Sequence, residues 1–199
     1  MKHLFLPLVL SIFLCTSLHA QTTNEEELPA NYFGLGTGIN ANTGMLGITF
    51  EHIFKEHIGA FANVGVGGWG YKLGVGGRLY FKNAHSGAVG INFSHCTGQT
   101  GLSQDLAVIE GGKSVTKKVT YDQHPVDVLN VTYLKFWKLG KKARFNIETG
   151  WSVPLNGKGS QNYTIVGPPG VVLDQNSVNA LNSSQPGGLI IAIGFTFGF

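Results

Sequence analysis

The chain is 199 residues long with a formal net charge of +3, and only 13% of its residues are charged, about half the usual share. So weak a positive balance leaves no footprint for nucleic acid, and so few charges argue against a surface fully covered by water. Cysteine occurs only 2 times, which excludes a disulfide scaffold, while glycine occurs 29 times, about twice the norm.

Residues 1–20 read as a secretory signal peptide. Lys2 and His3 give a basic start, Leu4 to Leu14 an apolar run too short to span a membrane, and Ala20 a small residue at the expected cut. Residues 21–31, with Glu25, Glu26 and Glu27, are expected to form a polar periplasmic tail. Beyond the signal, Cys96 is the one thiol, and no apolar stretch is long enough for a membrane helix.

From Tyr32 onward hydropathy alternates with period two, the mark of strands with one apolar face. The first predicted strand, Tyr32 to Asn40, sets Phe33, Leu35, Thr37 and Ile39 against three glycines. The turn Ala41-Asn42-Thr43-Gly44 leads to the second, Met45 to Phe54, and Lys55 to His57 leads to the third, Ile58 to Gly68. The fourth, from Tyr71 to Phe81, alternates Tyr71, Leu73, Val75, Leu79 and Phe81 with Lys72, Gly74, Gly76, Arg78 and Tyr80. The fifth carries Val89, Ile91 and Phe93. A long polar loop is expected over residues 97–125, then the sixth strand, Val126 to Trp137, and the seventh, Arg144 to Val153. A second long loop, 154–187, precedes the eighth strand, which ends on Phe195-Thr196-Phe197-Gly198-Phe199.

Such a chain predicts an all-β fold: an eight-stranded antiparallel transmembrane β-barrel, an up-and-down meander over residues 32–199. The connections agree with it. The turns after strands two, four and six are short, and both long loops fall on the opposite side, as expected for periplasmic turns and extracellular loops. Phe54, Phe81, Trp137 and Phe199 gather at the inner strand ends, with Trp69, Tyr71 and Trp151 at the outer ends, as two aromatic girdles. A soluble barrel such as a lipocalin would need an outward face rich in Lys, Glu and Thr, whereas the non-apolar register here is mainly Gly, Asn, Thr and Ser.

On its signal peptide, eight alternating strands and terminal aromatic strand, the chain resembles the small eight-stranded outer-membrane barrels of Gram-negative bacteria, the OmpA/OmpX-like class. The resemblance implies an outer-membrane location, contact with outer-membrane lipid and lipopolysaccharide, and reading of Phe195, Phe197 and Phe199 by the barrel-assembly machinery. It is architectural and specifies no activity.

The candidate sites follow from the two faces. Glu51, Lys72, Arg78, Arg144 and Glu148 point inward, and charges in so narrow a lumen are expected to pair as a network that plugs the barrel or gates a narrow pore. His95 points outward near the outer end of strand five, Thr97 shares its face, and Glu110 lies in the loop beyond. A histidine that activates a hydroxyl and is oriented by a carboxylate is the arrangement of acyl transfer. His95-Cys96-Thr97-Gly98 resembles the His-x-Ser-Asn stretch of the lipid A deacylase barrels, with Thr in the place of Ser and Gly in the place of Asn. Gly65 to Gly70 fits G-x-G-x-x-G, but an alternating strand follows where a dinucleotide site needs a helix. Histidines 52, 57, 85, 95 and 124 lack metal-ligand spacing, and no cofactor, metal or nucleic-acid partner is expected. The leading expectation is a non-enzymatic barrel with a packed polar lumen, acting through its two long loops. A lipid A acyl hydrolase and a narrow channel are the alternatives.

Overall fold

The computed structural model describes residues 29–55, 57–82, 85–157 and 159–199. The signal peptide and most of the acidic tail lie outside the described residues. Strands β1 (Asn31–Ile39), β2 (Leu46–Lys55), β3 (Ile58–Gly67), β4 (Gly70–Tyr80), β5 (Gly87–Cys96), β8 (Val126–Leu139), β9 (Ala143–Pro154) and β12 (Gly188–Gly198) close into an antiparallel barrel. Each pairs with its neighbour in chain order, and β12 returns to β1, so no barrel strand is left with an open edge.

The wall is apolar outside and polar inside. Following the pairing from β1, Phe33, Phe50, Ala62, Val75, Phe93, Leu129 and Val153 lie side by side on seven strands, and every one is exposed. A continuous exposed apolar row has no function in water; against hydrocarbon it is the lipid-facing surface of a membrane-spanning barrel. The alternate residues are buried and largely polar: Asn63, Asn92, Ser94, Asn130, Thr132, Asn146 and Ser152. Tyr133 faces out and Thr132 in, which settles the register of β8. Close packing inside explains some glycines: a Cβ at Gly74 would lie 2.6 Å from Ser94 Oγ and 2.7 Å from Asn63 Oδ1.

The short connections at one end, hereafter the turn end, are as the alternation predicts. The other end differs. The segment 97–125, expected as loop, forms a hairpin of β6 (Leu102–Glu110) and β7 (Lys113–Gln123). Its turn is Gly111-Gly112, with φ of 58° and 77°, the left-handed pair that tight hairpins require. The segment 154–187, also expected as loop, supplies β10 (Tyr163–Gly167), β11 (Val172–Leu173) and helix α1 (Gln175–Ser184). These strands flank the hairpin in a second sheet ordered β10-β7-β6-β11. The physical reason is a second core: Leu106, Val108, Val119, Tyr121, Tyr163 and Leu181 pack together, buried between the sheet and the helix. Asp174 caps α1 by accepting from Asn176 N–H at 2.5 Å. Ser177 Oγ then ties the helix to β6 by accepting from Ala107 N–H at 2.8 Å. This folded unit is the cap.

Candidate functional site

Three features could carry function: the lumen, the rim where His95 sits, and the space between rim and cap.

The lumen is filled in two layers. Toward the turn end Glu51 accepts from Arg78 Nη1 at 2.9 Å, from Arg144 Nη2 and from the Tyr80 hydroxyl. Arg144 is fully buried, with its guanidinium carbon 3.8 Å from the Tyr32 ring centre and 4.2 Å from that of Phe136, and its Nε donates to Thr196 Oγ1 at 2.7 Å. Aromatic faces on a buried guanidinium replace part of its lost hydration. Arg78 stands 4.3 Å from the Phe61 ring centre.

The second layer comes from a fold of the backbone that alternation does not reveal. The β1–β2 connection dips into the barrel, burying Ala41 and Asn42. Asn42 Oδ1 accepts from Asn92 Nδ2 at 2.9 Å and Asn130 Nδ2 at 2.8 Å, while Asn42 Nδ2 donates to Glu148. Lys72 pairs with neither carboxylate: its ammonium donates to the carbonyls of Ala41 at 2.8 Å and Asn40 at 3.3 Å. Of the five inward charges, then, Glu51, Arg78 and Arg144 meet in one cluster, and Glu148 and Lys72 are held separately by the inward loop. The cavity left between the layers is about 30 Å³, roughly room for one water.

At the rim His95 lies opposite Asp127 on β8, and its Nδ1 is 2.7 Å from Asp127 Oδ1. A carboxylate accepts only, so Nδ1 carries the proton and Nε2 holds the lone pair in the neutral ring. Both side chains are partly exposed, one row nearer the cap than Phe93 and Leu129. Thr97 is elsewhere engaged, accepting from Tyr71 N–H at 3.0 Å and donating to Gly98 O at 3.1 Å. Glu110 is removed from this group altogether. It sits beside the β6–β7 turn and pairs with Lys117 at 2.8 Å, because the segment expected as loop is a hairpin that carries it outward. Asp127, the partner that sequence reasoning missed, is recognisable only from the β5–β8 register.

The aromatic positions divide. Phe54, Phe81, Phe199, Tyr71 and Trp151 are exposed, and Trp137 is half-buried against Phe145. Trp69 departs from its expected girdle place: it is 5% exposed, packs with Cys96, Val126 and Val128, and donates from Nε1 to His124 O at 2.8 Å. The cap draws it inward by offering an acceptor that lipid lacks. Phe195 and Phe197 are exposed on β12, and Phe199 N–H donates to Asn31 O at 3.0 Å. No group of His, Cys, Asp and Glu among the described residues could hold a metal ion.

Between rim and cap lies a larger cavity, about 340 Å³, floored by Lys72 and Cys96 and walled by Ile39, Met45, Trp69 and Pro186.

No protein-family model and no curated protein matches the chain. Among solved structures it is similar to the crystal structure of Acinetobacter baumannii CarO. The identity is 15%, the TM-score is 0.45, and the match covers 88% of this chain and 100% of that one. So distant a likeness carries no functional argument.

Proposed function

We propose that this is a small outer-membrane barrel of a Gram-negative bacterium, exported by a signal peptide cleaved near Ala20, that works at the cell surface through its cap. The observation that carries the reading is the contrast between a closed lumen and a folded cap. Two layers of hydrogen-bonded side chains cross the lumen, with a cavity of about 30 Å³ between them, so solute passage is not the favoured role. The cap has its own apolar core, which a bare connection would not need. Lipid and lipopolysaccharide surround the apolar wall, and the barrel-assembly machinery reads Phe195, Phe197 and Phe199.

The test is direct. The protein should fractionate with the outer membrane, change gel mobility on boiling, and give no conductance in planar bilayers. A steady single-channel conductance would replace this reading with the narrow channel.

One observation favours a second reading, an acyl hydrolase of the outer leaflet: the His95–Asp127 pair, with Nε2 of the imidazole available as a base. Thr97 would have to leave its bond to Gly98 O to serve as nucleophile. Lipid A mass spectra from cells with the protein, without it, and carrying His95→Ala should be identical under the leading reading. Loss of an acyl chain that requires both the protein and His95 would establish the enzyme.

A further inference from the structure

We infer that the cavity between rim and cap is a binding site for a small organic anion with an apolar body. The inference rests on the surface-acting reading above and names the ligand class it would take.

The first support is charge. Among the described residues the buried acidic and basic side chains of the barrel are Glu51, Glu148, Arg78, Arg144 and Lys72, three basic against two acidic. Glu51 is committed to both arginines. Among the described residues no carboxylate lies within ion-pair distance of Lys72, whose ammonium has two carbonyl acceptors for its three N–H donors. The interior thus carries one cation in excess, and Lys72, in the field of Glu148 but in contact with no carboxylate, is the cation that faces the cavity, where an added anion would gain a charge-assisted partner.

The second support is space that packing does not require. Gly67 and Gly68 both line the cavity. A Cβ at Gly68 would meet no atom within 4 Å, and one at Gly67 only Met45 N, at 3.7 Å. Neither has a positive φ. Gly67 ends β3 and Gly68 lies in the turn that follows, and neither a close neighbour nor a positive φ demands glycine at either place. Side chains there would take up room in the cavity.

The third support is the wall. Trp69, Cys96 and Pro186 offer a buried apolar lining, and Trp69 is fixed by its bond to His124 O. About 340 Å³ is at the small end of ligand pockets. One charged anchor beside the Trp69 ring suits a carboxylate attached to a ring or short chain.

The experiment uses the barrel refolded in detergent micelles and titrated, under fluorine NMR, with 3-(4-fluorophenyl)propanoate and with its neutral amide. The carboxylate should bind saturably and at least tenfold more tightly than the amide. Lys72→Met should remove that preference, and Gly67→Leu should abolish binding, each with the boiling-dependent gel shift retained. Should Lys72→Met fail to fold, the amide comparison and Gly67→Leu decide. Equal binding of acid and amide, binding indifferent to Gly67→Leu, or no saturable binding at millimolar probe would overturn the inference. Because purified protein is used, that failure is distinct from failure of the membrane localisation, which fractionation reads.

Discussion

The barrel and the cap obey opposite solvent rules within one chain. In the barrel, apolar side chains such as Val75 and Ile91 lie outside and Glu51, Arg144 and Asn130 inside. In the cap Leu106, Val119 and Leu181 are inside, while Lys113, Lys118 and Glu110 face out. Both parts are built from antiparallel strands with the same period, so the strand pattern alone does not decide which face is buried. The solvent does: hydrocarbon leaves polar groups seeking each other, and water leaves apolar groups seeking each other. The barrel interior is therefore held by specific polar contacts beside a small apolar cluster of Tyr32, Tyr80, Ala88, Leu134 and Phe136, and the cap by area buried.

That contrast can be broken deliberately. The largest effect is expected in the barrel from Glu51→Gln, which leaves Arg78 and Arg144 buried without their anion. Losing one partner of such a cluster costs about 3–5 kcal/mol, seen as a lowered urea midpoint for loss of the boiling-dependent gel shift. Leu181→Ala strikes the cap core instead, at a cost of about 2–5 kcal/mol. Protease should then cut within residues 97–125 or 155–187 while the gel shift of the barrel stays unchanged. If both are lost together, cap and barrel fold as one cooperative unit.

A smaller effect is expected at the hairpin turn. Gly112 has φ of 77° and open space around it, so Gly112→Ala meets only the left-handed backbone penalty, about 1–2 kcal/mol. Hydrogen exchange should quicken in β6 and β7 and nowhere in the barrel.

The smallest concerns acid. The Ser114 hydroxyl, at 2.8 Å, and the Asn176 N–H hold the exposed Asp174 carboxyl below its ordinary value. A carboxyl lowered in the folded state adds stability above its unfolded pKa, and that contribution fades as pH falls through the folded value. Cap protection should thus be level from neutral pH down to about 4 and decline below it, and Asp174→Asn should flatten part of that decline.

How far the molecule was legible from its residues follows from the same two regions. Barrel strands announce themselves because each alternation is local: Leu189, Ile191, Ile193, Phe195 and Phe197 all lie on one side of β12 whatever it pairs with. The cap reads as loop in the sequence because its strands carry Ser, Thr, Lys and Asp on their wet face, and α1 is a run rich in Asn and Ser. Signals were present, though. Gly111-Gly112 between Leu106-Val108 and Val119-Tyr121 is a hairpin pattern, and Asp174 is a good helix cap. Trp69 departs from the girdle for a related reason, since position at a strand end does not tell whether a cap covers it.

The sequence by itself determined the eight-strand wall, its apolar outside, and the five charges inside it. Only the tertiary structure decided which charges meet. Glu51 and Arg144 are 93 positions apart, and His95 finds Asp127 only through the register of β5 on β8. The inward fold of Asn42, the placing of Lys72 under a cavity and the removal of Glu110 from His95 are likewise products of pairing between distant segments. Side-chain direction along a strand is a local property of the backbone, but which strand lies alongside is settled by the closure of the whole sheet.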